Sequence, residues 1–113
     1  MGEVLKQKGI ILVPFPFSDQ SGSKRRPALV ISDDKFNQTS EDLIACAITS
    51  NIDDDFYTVR IKPEDWKDGF YSESCVKVAA ILTIDKKLVI KPIGRLGSER
   101  FKEVMEKVYE IIK

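Results

Sequence analysis

The chain has 113 residues with 18 Lys plus Arg, 18 Asp plus Glu and no histidine, so its formal net charge is zero. That length fits a single domain over residues 1–113, and 42% hydrophobic residues exclude the composition of a disordered chain. The missing histidine excludes Ser-His-Asp and Cys-His catalysis, imidazole acid–base pairs and His-rich metal sites.

Six short apolar runs follow one another along the chain, separated by polar turns such as 19–24 and 51–55. Two of them, 27–32 and 43–49, are almost continuously apolar, which is typical of strands buried on both faces. The run 57–62 alternates between apolar and polar residues, as a half-buried strand does. The predicted strands are 9–17, 27–32, 43–49, 57–62, 75–82 and 88–93.

The last segment, 98–113, changes to helical spacing, with Ser98 as the N-cap after Gly97. Its apolar positions fall every three or four residues, which predicts one face packed against a sheet. These positions are Phe101, Val104, Met105, Val108, Ile111 and Ile112. Six strands and a terminal helix predict a mainly β fold, a small and curled antiparallel barrel with a C-terminal helix.

The two cysteines, Cys46 and Cys75, both sit among apolar neighbours. This pattern favours buried, reduced thiols in the strands of a cytoplasmic protein. A single disulfide or a nucleophilic thiol is the weaker alternative, since no histidine is present to activate the sulfur. No apolar run is long enough for a membrane span, and residues 1–9 lack the features of a secretory signal, so we expect no membrane partner.

The zero net charge hides an uneven distribution along the chain. Residues 1–40 carry six basic and four acidic groups, residues 41–75 carry three and nine, and residues 76–113 carry nine and five. The three segments therefore have net charges of +2, −6 and +4. An anionic partner is not excluded, because binding depends on which charges share a face.

Four motifs occur in a fixed order over nearly the whole chain. A segment from Gly9 ends in V-P-F, and R-P-A-L-V-I-S follows from Arg26. The run 43–49 then ends in T-S, and T-I-D occupies residues 83–85. Together the four motifs resemble the MazF/PemK family of toxin endoribonucleases from type II toxin–antitoxin systems.

This resemblance implies an SH3-like (plasmid-maintenance toxin) β-barrel that forms a homodimer. It also implies sequence-specific cleavage of single-stranded RNA by attack of the RNA's own 2′-OH, leaving a 2′,3′-cyclic phosphate and a 5′-OH end. Neither a metal nor another cofactor is expected. The implied partners are single-stranded RNA, a cognate antitoxin whose acidic segment covers the RNA groove, and operator DNA only through that antitoxin.

The resemblance also assigns roles to particular residues. Arg26 matches the catalytic arginine of the family, Thr49 matches its catalytic threonine, and Lys77 falls where PemK-type members have a second functional arginine. The chain departs from the family pattern at two places. A loop glutamate–glutamine pair is replaced by residues 19–24, and the acidic or glutamine residues before T-I-D are replaced by Ala79 and Ala80.

The residue types fit the implied chemistry. Attack of a 2′-OH on phosphorus builds negative charge, which the planar guanidinium of Arg26 can stabilise while Thr49 donates one hydrogen bond. We expect a basic rim around this site, with the acidic middle third mostly away from it. The predicted RNA-binding residues are Phe17 for base stacking, Asp19 as acceptor of the 2′-OH proton, and Lys24, Arg25, Ser50 and Lys77 for positioning phosphates.

Each of these residues also has a structural interpretation. Arginine in a K-R-R run is usually a solvated surface charge, and Thr49 and Lys77 are ordinary residues for a strand end and a strand's exposed face. The carboxylates of residues 53–55 are more typical of a solvated turn than of a metal site. The alternatives to an enzyme are a non-catalytic CcdB-like toxin acting by protein binding, or an inactive homologue that regulates its operon.

Overall fold

The chain folds around one seven-stranded antiparallel sheet, which curls into a nearly closed barrel. The computed structural model describes residues 5–16, 23–52, 55–69 and 73–113, apart from the side chains of residues 15, 16, 23, 24 and 68. The strands are β1 (Gly9–Pro16), β2 (Ser23–Val30), β3 (Asp42–Thr49), β4 (Thr58–Ile61), β5 (Trp66–Gly69), β6 (Ser74–Asp85) and β7 (Lys91–Leu96). Their order in the sheet is β4-β6-β3-β2-β1-β7-β5.

Two α-helices and two short 3-10 turns are the other elements of the described residues. Helix α1 (Asp34–Thr39) follows β2, and helix α2 (Ser98–Ile112) follows β7. The 3-10 turns are Pro63–Asp65 and Lys86–Leu88. The prediction of a mainly β barrel with a C-terminal helix is confirmed.

All six predicted strands are present, and the differences have local causes. Helix α1 was not predicted; it starts because the Asp33 carboxylate accepts a hydrogen bond of 2.8 Å from the Phe36 backbone N–H. Strand β5 is short and polar, and pairs with β7 through backbone groups. The strand predicted at 88–93 begins only at Lys91, after the 3-10 turn Lys86–Leu88. Lys24 was predicted to lie in a loop but belongs to β2.

The apolar runs in β2 and β3 fill two separate cores, one on each face of the sheet. On β2, Leu29 belongs to the main core, whereas Ala28 and Val30 belong to the second core. On β3, Cys46 belongs to the main core and Leu43 to the second core. Alternating side chains of a strand point to opposite faces, so burial on both faces explains why these sequences are almost continuously apolar.

Helix α2 covers the main core with Phe101, Val104 and Val108, as its apolar spacing predicts. Its first turn is attached to the 3-10 turn at Asp65, whose carboxylate accepts a hydrogen bond of 3.0 Å from Arg100 Nε. This bond, followed by a second one to Glu103, raises the pKa of Arg100 above its ordinary value. Within the described residues, no helix is long and apolar enough to cross a membrane.

Strand β6 leaves its ladder with β3 in the middle and then rejoins it. Between the pairs Ile48–Val76 and Cys46–Ile81, β3 contributes one residue, Ala47, whereas β6 contributes four, residues 77–80. The interruption changes which side chains of β6 face each core. Val76 and Val78 point into the main core, whereas Ile84, beyond the interruption, packs in the second core.

Leu29 offers a direct test of the main core, because its side chain is fully buried. We expect Leu29→Ala to lower the free energy of unfolding by about 2–5 kcal/mol, from lost burial and the cavity left behind. Leu88, which is 53% exposed, provides the matched control, and Leu88→Ala should change that free energy by less than about 0.5 kcal/mol. Urea unfolding followed by circular dichroism measures both, and equal losses would contradict the assignment.

Cys46 and Cys75 are buried and are not joined in a disulfide, as predicted. Burial raises the pKa of Cys46 to about 12. At pH 8 we therefore expect roughly one Cys46 side chain in ten thousand to be a thiolate, and alkylation by iodoacetamide to be negligible until the protein unfolds. Mass spectrometry of native and urea-unfolded protein measures this, and rapid native labelling of Cys46 would contradict it. Because folding disfavours the thiolate, stability should also fall as the pH rises above about 8.5.

Candidate active site

The ladder between β2 and β3 points toward the two predicted catalytic residues. Its directly opposite residues are Ala28–Ala47, Leu29–Cys46 and Val30–Ala45. The ladder ends at Ala28–Ala47; the same register, extended by two residues on each strand, would set Arg26 opposite Thr49. Directly opposite residues of antiparallel strands have Cβ atoms about 4.5–5.5 Å apart and project from the same face.

Strands β6 and β4 extend this alignment across the sheet. Thr49 pairs with Cys75 of β6, and Cys75 pairs in turn with Arg60 of β4. Thr49, Cys75 and Arg60 therefore form one row across three paired strands, and Arg26 falls in line with it when the β2–β3 register is extended; we call these four residues the site row. Their strand neighbours Ile48, Val59 and Val76 point into the main core, so the site row projects from the opposite face.

Arg26 is half-buried and begins the site row. Its backbone is held on one side by pairing with Val13 of β1, and Pro27 restricts the backbone on the other. A guanidinium presents planar donors that match the geometry of a phosphate. The side chain can therefore bind a phosphate without a large rearrangement of the strand.

Thr49 ends β3, and its side chain is also half-buried. Its hydroxyl oxygen accepts a hydrogen bond of 3.1 Å from the Asn51 backbone N–H. A hydroxyl has one hydrogen to donate besides its acceptor sites, so this bond orients the oxygen while the O–H hydrogen can be donated to a ligand. Ser50 follows immediately and is exposed.

Lys77 lies on the same face as the site row. It pairs with Thr58 of β4 and sits two residues, roughly 6.6 Å, along β6 from Cys75. The flanking residues Val76 and Val78 are buried in the main core, which leaves the Lys77 side chain exposed on the site face. Lys77 therefore shares a face with Cys75, the ladder partner of Thr49, and its part in the site stays a prediction.

The structure does not show the other predicted site residues beside the site row. Alternation along β2 puts Arg25, which is exposed, on the face opposite to Arg26. Phe17 and Asp19 lie outside the described residues, and of Lys24 only the backbone is described, paired with Phe15. The predictions for these residues stay predictions.

Arg60 is the member of the site row that the sequence did not reveal. The alternation of residues 57–62 places it on an exposed strand face, but only the pairing of β4 with β6 sets it in line with Thr49. Its guanidinium forms an ion pair of 3.5 Å with Glu73. One carboxylate of the acidic middle third, that of Glu73, therefore lies beside the site row.

Neither the acidic turn at residues 51–55 nor the pocket at the start of α2 forms part of this site. Within residues 5–16, 23–52, 55–69 and 73–113, no group of three or more His, Cys, Asp or Glu side chains could hold a metal ion. Asp55, from the acidic turn, accepts a hydrogen bond of 3.2 Å from the Tyr57 backbone N–H, whereas residues 53 and 54 lie outside the described residues. A pocket of about 390 Å³ lies at the start of α2 and contains no residue of the site row.

Comparison with known proteins identifies the family of the chain. Residues 6–112 match the family described as PemK-like, MazF-like toxin of type II toxin-antitoxin system. A curated relative, endoribonuclease EndoA of Bacillus subtilis (strain 168), is 32% identical over 102 residues, which cover 90% of this chain and 83% of the relative.

Solved structures share the fold at lower identity. A crystal structure of MazE-MazF from Deinococcus radiodurans has a TM-score of 0.81 and 21% identity, and the match covers 97% of each chain. An endoribonuclease in complex with its cognate antitoxin from a mycobacterial species has a TM-score of 0.70 and 15% identity, covering 96% of this chain and 93% of that one.

Proposed function

The chain belongs to the PemK/MazF family of toxin endoribonucleases from type II toxin–antitoxin systems, and we propose that it cuts single-stranded RNA at the site row without a metal ion. The observation that supports this proposal is the β2–β3 register, which, extended two residues beyond its last pair Ala28–Ala47, would set Arg26 opposite Thr49 on one face. A cationic fork and a hydroxyl donor at that spacing are the two groups that the chemistry needs around one phosphate.

In the proposed reaction, the 2′-OH of one nucleotide attacks its own phosphorus atom. The bond from phosphorus to the 5′ oxygen breaks, which leaves a 2′,3′-cyclic phosphate on one product and a 5′-OH on the other. Arg26 stabilises the negative charge that grows on the non-bridging oxygens, and Thr49 donates its O–H hydrogen to one of them. Lys77 and Ser50 position phosphates next to the scissile one.

Two proton transfers accompany this displacement, one from the 2′-OH and one to the departing 5′ oxygen. We propose Asp19 as the acceptor of the first proton, since a carboxylate is the natural base in a chain without histidine. Phe17, in the same stretch of sequence, is proposed to stack on a base. Lys24 and Arg25 are proposed to contact phosphates outside the site row.

The same basic face accounts for the proposed protein partner. An extended acidic segment of a cognate antitoxin would take the place of the RNA backbone between Arg26 and Lys77, because both ligands present a line of negative charges. The solved relatives described above include complexes with antitoxins. We further propose a cytoplasmic homodimer that reaches operator DNA only through the antitoxin.

The first prediction for this function concerns Arg26. We expect Arg26→Ala to lower the rate of RNA cleavage by about 100- to 1000-fold, because the charge that develops in the transition state loses its main counter-charge. Purified protein, in EDTA, is incubated with mixed-sequence single-stranded RNA, and the product ends are mapped. Replacing the 2′-OH of the scissile nucleotide by hydrogen should also abolish cleavage.

Arg95 provides the matched control for this experiment. It is an exposed arginine on β7 beside Gly9, at the end of β1 far from Val13 and Arg26. Arg95→Ala should cleave RNA at the wild-type rate. Intact RNA after incubation with folded wild-type protein would contradict the proposal and favour a toxin that acts by protein binding alone.

A second prediction separates the hydroxyl of Thr49 from its shape. We expect Thr49→Val to slow cleavage by about 10- to 100-fold, because one hydrogen bond to a charged phosphate is lost while the volume is kept. Thr49→Ser retains the hydroxyl and should stay within a few-fold of wild type. Equal rates for the serine and valine variants, with unchanged thermal stability, would show that the hydroxyl takes no part in the reaction.

A further inference from the structure

We propose that Arg60 is a second phosphate-binding arginine, which extends the RNA site from the scissile phosphate across β6 to β4. This inference rests on the proposed function, and it identifies a residue that the sequence motifs do not contain. It starts from the site row, in which Arg26 and Arg60 are the first and last members.

The spacing suits an extended strand of RNA. Three steps between neighbouring strands, each of about 4.8 Å, separate the backbone of Arg26 from that of Arg60 by roughly 14 Å. Thr49 lies between them in the row, and Lys77 lies beside the row on the same face. A backbone that crosses the strands at Thr49 would therefore meet Lys77 and then Arg60 at phosphates away from the scissile one.

The side chain of Arg60 is partly exposed, although its Nε atom is buried, so a ligand would meet its Nη atoms. Its side chain is 37% exposed, and its ion-pair partner Glu73 is 44% exposed, with 3.5 Å between Nη1 and Oε2. Exposed ion pairs of this kind contribute little to stability, because water screens both charges. A phosphate can therefore replace the Glu73 carboxylate at little cost, and the guanidinium can bind it through two parallel hydrogen bonds.

The strand that carries Arg60 is well anchored, which gives the side chain a defined position. The neighbours Val59 and Ile61 are buried in the main core, and four residues of β4 pair with β6. Lys107 of α2 also donates a hydrogen bond of 3.4 Å to the Thr58 carbonyl oxygen. Because the opposite face of β4 packs against the main core, Arg60 projects from the face that carries the site row.

The test uses Arg60→Gln, the charge-keeping variant Arg60→Lys, and Arg95→Gln as the matched control on a remote strand. Binding is measured by fluorescence anisotropy with mixed-sequence 2′-O-methyl RNA, which cannot be cleaved because its 2′-OH is blocked. A dodecamer and a trinucleotide are compared, since only the longer one spans from Arg26 to Arg60. Cleavage kinetics are measured in parallel on unmodified RNA.

We expect Arg60→Gln to weaken binding of the dodecamer about three- to tenfold, the loss for one exposed charge-assisted contact, and to leave the trinucleotide unaffected. KM for long RNA should rise by the same factor with kcat nearly unchanged, because the contact is made equally in the ground and transition states. The slope of log affinity against log salt should fall by about 0.7. Arg60→Lys should recover most of the binding.

Glu73→Gln supplies an independent arm of the same experiment. If the carboxylate competes with phosphate for Arg60, its removal should tighten binding of the dodecamer about two- to threefold. If the pair instead has a structural role, Glu73→Gln and both Arg60 variants should lose affinity and thermal stability together, and the proposal would be wrong.

The outcomes distinguish this inference from the proposed function. Cleavage by wild-type protein together with equal dodecamer affinities for Arg60→Gln and Arg95→Gln would overturn the role of Arg60 alone. Failure of wild-type protein to cleave RNA, with length-dependent loss of binding in Arg60→Gln, would overturn the nuclease mechanism and keep the binding site. No binding of RNA by the folded wild type would overturn both.

Discussion

The register of the antiparallel ladder through β2, β3 and β6 is the constraint on which both the core and the site depend. Alternate residues of these strands enter opposite faces of the sheet, so Leu29 and Cys46 fill one core while Ala28 and Ala45 fill the other. A slip of one residue would exchange the two sets and place charged side chains in the main core. Burial on both faces therefore holds the register that, extended by two residues, would bring Arg26 opposite Thr49.

The interruption in β6 allows one long strand to contribute side chains to both cores and to the site row. Its first part pairs with β3 and β4 at once, which sets Cys75 between Thr49 and Arg60. Its last part returns to β3 and adds Ile84 to the second core. The extra residues 77–80 lie opposite a single residue of β3. The side chains of β6 beyond them therefore point to the other face of the sheet, although the strand is continuous. Lys77, at the start of the interruption, remains on the site face.

Sequence patterns found most of the fold because hydrophobic periodicity is a local signal. The six apolar runs became strands, and the 3.6-residue period of the last segment became α2. Helix α1 and strand β5 were missed because neither has an apolar period: α1 depends on the Asp33 cap, and β5 depends on pairing with a strand far along the chain. Arg26, Thr49 and Lys77 are predicted through motifs, whereas Arg60 has no motif and is placed only by the pairing of β4 with β6.

The sequence by itself determined the class of chemistry and the family to which the chain belongs. A chain without histidine cannot use imidazole, and the ordered R-P, T-S and T-I-D motifs carry the resemblance from which Arg26 and Thr49 are proposed for the reaction. Only the tertiary structure decided which charges share a face. It separated the adjacent Arg25 and Arg26 and joined Arg26 to Arg60, because neighbours along a strand point apart whereas cross-strand partners point together.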